Sequence, residues 1–340
     1  MAELNTTIAG EVKRCNISFV TFYWTLPATG VHLYTNIALI AICLLVSLFG
    51  IIANVFVVIC YVKNPRVRTL SNIPLLSVAF SDLLVSAVVL PLLVAKFIKE
   101  IYGTRNCILW ASKGLATYFL FGVSLLSVTV ISAERFITLA YPYQYQAILT
   151  KIRMNVVVAA VWIATFVVVI SNIGLISFKV LQAIATLTIG LCIFFILVSW
   201  IWVYKLLKTH VRKINTNHRP SVVSKPETSQ RQSYRNTGAS GVIVFGLIIS
   251  YIPSVVMLVY FWTEPESFTG IYLVSPWGET FLLSHSLFNP LYVFWRKSAF
   301  RETAASFIRR FTCHARQIDG RISIDLSKNS MQTQSLAAVI

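Results

Sequence analysis

Acidic residues, clustered cysteines and charge of either sign are scarce in this chain of 340 residues. Only 12 Asp and Glu stand against 29 Lys and Arg, charged residues make up 12% of the composition, and the formal net charge is +17. A soluble nucleic-acid binder with such an excess would hold charged residues nearer a quarter of its composition, so that class is excluded. Six cysteines cannot staple a chain of this length into a disulfide scaffold. The five histidines, His32, His210, His218, His285 and His314, are scattered, with no metal-spaced cluster and no nucleophile motif beside them. An enzyme therefore finds little support. The first 30 residues lack an h-region ahead of a small-residue cleavage site, so the first apolar run is expected to act as the insertion signal.

Apolar length is what the chain has in abundance. Hydrophobic residues are 56% and aromatic residues 13% of it, which excludes intrinsic disorder. A helix crossing hydrocarbon needs about 20 mainly apolar residues, and seven runs qualify. They cover Tyr34–Val62, Leu70–Ala95, Cys107–Leu139, Asn155–Leu175, Leu181–Tyr204, Ser240–Trp262 and Tyr272–Trp295. Only Lys179 and Gln182 interrupt the stretch from Val156 to Tyr204, so a very short turn is expected near Ser177–Gln182. The fold class expected is an all-α integral membrane protein, a seven-transmembrane helix bundle. Its parts are an extracellular segment over 1–33, the bundle over 34–295, a short amphipathic cytoplasmic helix over 296–312 and a cytoplasmic tail over 313–340.

Orientation follows from the basic residues of the short loops. With the N-terminus outside, Lys13, Arg14, Lys96, Lys99, Arg105, Lys113 and Lys179 are the seven outer bases, and the other 22 of the 29 face the cytoplasm. The sequons Asn5-Thr6-Thr7 and Asn16-Ile17-Ser18 then fall on the outer side, making Asn5 and Asn16 candidate glycosylation sites. The inner excess of charge suits anionic membrane lipids and an intracellular partner. His210–Gly238, rich in basic and small polar residues, is expected to be solvated. Beyond the seventh run, Phe300, Ala304, Phe307, Ile308 and Phe311 recur at helical spacing while Arg301, Arg309 and Arg310 point elsewhere, as in a helix lying on a membrane surface. Cys313 is a candidate for acylation, with an unmodified tail thiol the equal alternative.

Polar groups inside spans cost about 2.5 to 3.5 kcal/mol at mid-helix and call for a partner or a role. Asn54, Asp82, Ser124, Ser286 and Asn289 fall near mid-membrane. Gathered inward they would hold water or a sodium ion, or form a neutral hydrogen-bonded structural cluster, to which His285 would also belong. Glu134 and Arg135, followed by Phe136, end the third run. They are either a solvated helix end or an ion pair that opens to meet a cytoplasmic partner. A transporter or channel is the alternative class, although intramembrane charge is sparse for a relay and no internal repeat is evident.

Taken jointly, the motifs carry a resemblance. Gly50 and Asn54, Ser77-Val78-Ala79-Phe80-Ser81-Asp82, Glu134-Arg135-Phe136, Trp162, Pro253 and Asn289-Pro290 stand in the first, second, third, fourth, sixth and seventh runs respectively. Over most of its length the chain resembles the rhodopsin-like (class A) G-protein-coupled receptors. The resemblance implies a plasma-membrane receptor that passes binding of an unidentified extracellular ligand to a heterotrimeric G protein. Arrestin and receptor kinases are implied as further partners, acting on Ser221–Thr237 and on the tail from Thr303. It implies that Glu134, Arg135 and Phe136 serve G-protein coupling and that Asp82, Ser124 and Asn289 form an allosteric sodium site, with no other cofactor. The implied ligand pocket takes Lys113, Thr117, Tyr118 and Phe121, then Tyr251, Ser254, Val255 and Leu258, then Glu279 and Leu283. Thr117 stands where amine receptors carry Asp, and Leu283 where a visual pigment carries its lysine, so neither type is expected. Lys113 and Glu279 would pair with each other, bind a charged ligand or reach the outer water.

The departures are specific. The family's Asp-Arg-Tyr reads Glu-Arg-Phe, and Ser250-Tyr251-Ile252-Pro253 puts Tyr251 at the toggle tryptophan. In Asn289-Pro290-Leu291-Tyr292-Val293 the tyrosine comes one place early, about 100° around the helix. No acid lies near Ser233 to clasp Arg135, so high ligand-independent signalling is expected. Family members usually tie the third span to a cysteine in the second outer loop, but Ile173–Ile184 has none. A Cys15 to Cys107 disulfide is expected in its place. Cys43, Cys60 and Cys192 are expected to be packing residues. The cysteine-free loop and the lack of proline in Ile184–Tyr204 are traits of the melanocortin, adenosine and cannabinoid group.

Overall fold

The computed structural model describes residues 28–104, 106–171, 178–216, 246, 249, 252, 256, 273–307 and 309. Most of the expected sixth run, Asn5, Asn16, Cys15, Cys313, Tyr251, Ser254, Val255 and Leu258 lie outside them. Among the described residues all regular structure is helical.

Helix α1, Gly30–Lys63, begins where Gly30 takes φ +54° and ends at extended Asn64, whose side chain accepts from the Arg66 amide ahead of a turn over Pro65–Val67. Leu70–Asn72 forms a further turn before α2, Ile73–Leu84. A wider π turn over Val85–Val89 joins α2 to α3, Leu90–Ile101. Pro91 has no amide hydrogen for the carbonyl one turn back, and a wide turn relieves that conflict. Helix α4, Cys107–Ala140, is capped by Asn106, whose Oδ1 accepts from the Leu109 amide at 3.1 Å. After the single turn α5, Tyr145–Ile148, Thr150 caps α6, Lys151–Ile170. Helix α7 covers Phe178–Thr216, and the last span is α8, Ser275–Leu283, followed by α9, His285–Arg296.

Five helices among the described residues are long and apolar enough to cross a membrane. The expected turn at Ser177–Gln182 is wrong: α6 stops at Ile170 and Phe178 already begins α7. The Ser171 hydroxyl donates to the Val168 carbonyl, offering the backbone a local competitor for its helical bond. The signal for this stop was Ser171-Asn172 with Gly174 beyond it, polar and turn-favouring residues that the apolar run around them outweighed.

Two apolar clusters sandwich a polar layer. Leu39, Val89, Leu93, Phe97, Leu120 and Leu283 belong to one. Val57, Leu75, Val78, Val128, Ile196 and Phe300 belong to the other. Large apolar side chains such as Leu44, Leu48, Ile163, Phe166, Leu187 and Phe194 are exposed, the pattern of a surface solvated by lipid. Helix association in lipid depends on close packing at small residues, and Gly50 and Gly122 provide it. A Cβ at Gly50 would lie 2.4 Å from Ser86 Oγ, and one at Gly122 2.8 Å from Thr165 Cγ2. Gly50→Val and Gly122→Val should each cost about 1 to 3 kcal/mol by overpacking, read as lowered melting temperatures in detergent. Gly190→Ala, where nothing lies within 4 Å, should leave the melting temperature unchanged or higher.

Residues 298–307 form a helix after Lys297. Phe300 is buried, Ala304 packs on the same cluster and Phe307 meets Phe56 edge-on at 6.3 Å, while Arg301 is exposed. Asn64 ties this helix to α1 by donating to Thr303 Oγ1 at 2.7 Å.

Candidate functional site

The mid-membrane polar residues converge. Asn54 Nδ2 donates to the Gly50 and Ser286 carbonyls at 2.9 and 2.8 Å, so α1 grips α9. Ser86, in the π turn, donates to Ser286 Oγ at 3.1 Å, and Ser47 donates to the Ser86 carbonyl at 2.7 Å. Asn289 Nδ2 donates to Asp82 Oδ2 at 2.8 Å, and His285 Nε2 stands 3.3 Å from Asp82 Oδ1. The expected Asn54, Asp82, Ser286 and Asn289 are thus brought together. Ser124 is fully buried, its Oγ without a protein hydrogen bond.

A sodium ion at Asp82 would need carboxylate oxygen open to it. Here one oxygen accepts from an amide nitrogen and the other faces an imidazole nitrogen. The adjoining small cavity is lined by Asn54, Asp82 and Asn289 on one hand and by apolar Val57, Leu75, Val78 and Val293 on the other. With the His285 imidazole over Asp82 Oδ1, the approach an ion would need is occupied, and in this geometry the site does not fit it.

Near the C-terminal end of α4, Glu134 and Arg135 are each 3% exposed, with Arg135 Nε 3.0 Å from Glu134 Oε2. Ser71 and Thr138 hydroxyls donate to Glu134 Oε1 at 2.7 and 3.4 Å. The pair is buried and is not a solvated helix end. Lys297, just past the last span, donates to Asn72 Oδ1 at 2.6 Å. Desolvation, with the Arg135 guanidinium nearby, holds its ammonium below the usual lysine value. Phe136 lies alongside, half-buried. Tyr292 packs toward the sixth run, since a Cβ on Gly246 would come 2.3 Å from its ring.

The opposite half of the bundle, expected to face outward, holds a second set of buried charges. Lys113 Nζ donates to Glu279 Oε1 at 2.5 Å. Lys96 Nζ lies 3.8 Å from both Glu279 Oε2 and Glu100 Oε1, and 4.7 Å from the Trp110 ring centroid. Of the three outcomes open for Lys113 and Glu279, the structure has them paired. Thr117 bonds back to the Lys113 carbonyl at 2.8 Å. Tyr118 is half-buried nearby, while Phe121 and Leu283 are buried in the apolar clusters. Cys107 is disulfide-bonded, and its expected partner Cys15 lies outside the described residues. Cys43, Cys60 and Cys192 are buried free thiols.

Sequence reasoning did not pick out Lys96, Glu100 or Ser86. The signal for Ser86 was its place four residues after Asp82. For Lys96 and Glu100 it was their one-turn spacing, which sets opposite charges on one helix face.

Over residues 53–292 the chain matches the family described as 7 transmembrane receptor (rhodopsin family). It is 31% identical over 123 residues to an alpha-1A adrenergic receptor of Oryzias latipes, covering 36% of this chain and 26% of that one. It is 30% identical over 141 residues to a muscarinic acetylcholine receptor M3 of Gallus gallus, covering 41% and 22%. An octopamine receptor 1 of Lymnaea stagnalis is 29% identical over 136 residues, covering 39% and 20%. The chain therefore spans only a fifth to a quarter of the length of these relatives. The transporter or channel alternative is not favoured by these matches, and the melanocortin, adenosine and cannabinoid grouping gains no support from them.

Proposed function

Because the chain belongs to the rhodopsin family of seven-transmembrane receptors, we propose that it transduces binding of an extracellular ligand to heterotrimeric G proteins from the plasma membrane. The buried Glu134–Arg135 pair carries the reading. An arginine with an acid on its own helix, clamped by Ser71 and Thr138, is a two-position element: closed on Glu134, or released toward a partner at the inner mouth. The excess of basic residues on the inner side, with the N-terminus outside, supports docking of an acidic surface there. Arrestin and receptor kinases are proposed as later partners of the same face.

The ligand enters from the outer half, against Lys113, Tyr118 and Glu279 on α4 and α8. The relatives take their names from adrenergic, muscarinic and octopamine receptors. Thr117 lacks the carboxylate that would meet an ammonium, so the amines of those names are not proposed for this chain. The Cys15 to Cys107 bond would hold the N-terminal segment over this mouth.

The test is basal and ligand-driven signalling in cells, read with a panel of Gα subtypes at matched surface expression. Signalling above an untransfected control without any added ligand is expected. A silent receptor across the panel, before and after a broad ligand screen, would contradict it.

A further inference from the structure

We propose that the His285 imidazole takes the place of a cation at Asp82, so that this chain does not bind sodium in its mid-membrane cluster. Asp82 is fully buried, and a carboxylate there demands compensation from something close. Nitrogen faces it on both sides: Asn289 Nδ2 donates to Oδ2 at 2.8 Å, and His285 Nε2 stands 3.3 Å from Oδ1 as a close contact rather than a hydrogen bond. The ring is held from its other side as well. His285 Nδ1 lies 2.5 Å from the Leu282 carbonyl, and the Phe121 ring meets the imidazole edge-on at 6.2 Å. With 1% of its surface exposed, the imidazole is enclosed by protein in this position. A sodium ion would have to displace this packed side chain, which stands over Oδ1 without hydrogen-bonding it.

Oxygens suited to a cation are nevertheless present. Ser124 Oγ, Asn289 Oδ1, Asn54 Oδ1 and Asp82 Oδ1 itself are buried without a protein hydrogen bond. What excludes the ion is therefore one side chain, and a shorter residue at 285 carrying an oxygen should admit it. His285 is here a positioning residue that ties α9 to α2, and its role does not depend on which ligand or G protein the receptor uses.

The experiment compares melting temperatures of the purified full chain in sodium chloride and in potassium chloride at equal ionic strength. Wild type should melt at the same temperature in both. His285→Asn should gain a sodium-dependent rise of roughly 2 °C or more, as expected when an ion binds the folded state alone. Adding Asp82→Asn to it should abolish the gain. His285→Ser provides the same reading if the asparagine variant does not fold. A sodium-specific rise in wild type would overturn the proposal, as would variants that melt cooperatively yet gain nothing from sodium.

Discussion

Glu279→Gln should be among the most damaging single changes in the outer half, and adding Lys113→Met should repair part of the damage. Four buried ionisable side chains, Lys96, Glu100, Lys113 and Glu279, balance to zero in the wild type. Removing the Glu279 charge leaves two ammonium groups to one carboxylate where side chains are only 4 to 15% exposed. Breaking a buried pair in this way costs about 3 to 5 kcal/mol, because the survivor is left uncompensated. Surface expression and melting temperature should both fall sharply. Removing Lys113 as well restores the balance, with Lys96 and Glu100 still paired one turn apart on α3. The double variant should accordingly be more stable than Glu279→Gln alone, an interaction of opposite sign to simple addition. Additive losses would mean that the two groups do not depend on each other.

Arg135→Ala should nearly abolish signalling at equal surface expression, while Glu134→Gln should raise it in the absence of ligand. The two residues share one ion pair, so a merely structural role would move both variants in the same direction. Truncating one member of a desolvated charge contact with a partner costs about 2 to 5 kcal/mol, which is a loss of at least about tenfold in coupling. In Glu134→Gln the Ser71 and Thr138 hydroxyls can still hold the side chain in place, so the effect isolates the charge. Equal losses in both variants would argue that the pair only stabilises the end of α4.

Hydrophobic length was the most legible property of the sequence. The first three spans extend past their expected outlines, α1 starting at Gly30 and α4 ending at Ala140. Their ends are set by groups that hydropathy does not weigh: Asn64 before Pro65, and the Asn106 cap. The break after Ile170 was misplaced for the same reason. The π turn over Val85–Val89 was signalled only by Pro91, yet it carries Ser86 to within hydrogen-bonding distance of Ser286.

The polar layer was readable because intramembrane polar residues are few, so Asp82, Asn54 and Asn289 had few partners to choose from. The outer charge cluster was less so. Lys96 reads in one dimension as an outer base free to extend toward water. Only the packing of α3 beside α4 and α8 shows it caught between Glu100 and Glu279. His285 was assigned to the polar cluster from its neighbour Ser286, but its 3.3 Å approach to Asp82 depends on helix rotation that spacing alone does not fix.

Nucleotide exchange on purified Gαβγ heterotrimers tests the receptor reading without the complications of cells. The full chain is reconstituted in nanodiscs and offered a panel of Gα subtypes, with Arg135→Ala alongside. Exchange above that of empty nanodiscs with at least one subtype, falling at least about tenfold in Arg135→Ala, is the expected result. Exchange equal to empty nanodiscs across the panel, or unchanged by Arg135→Ala, would contradict it.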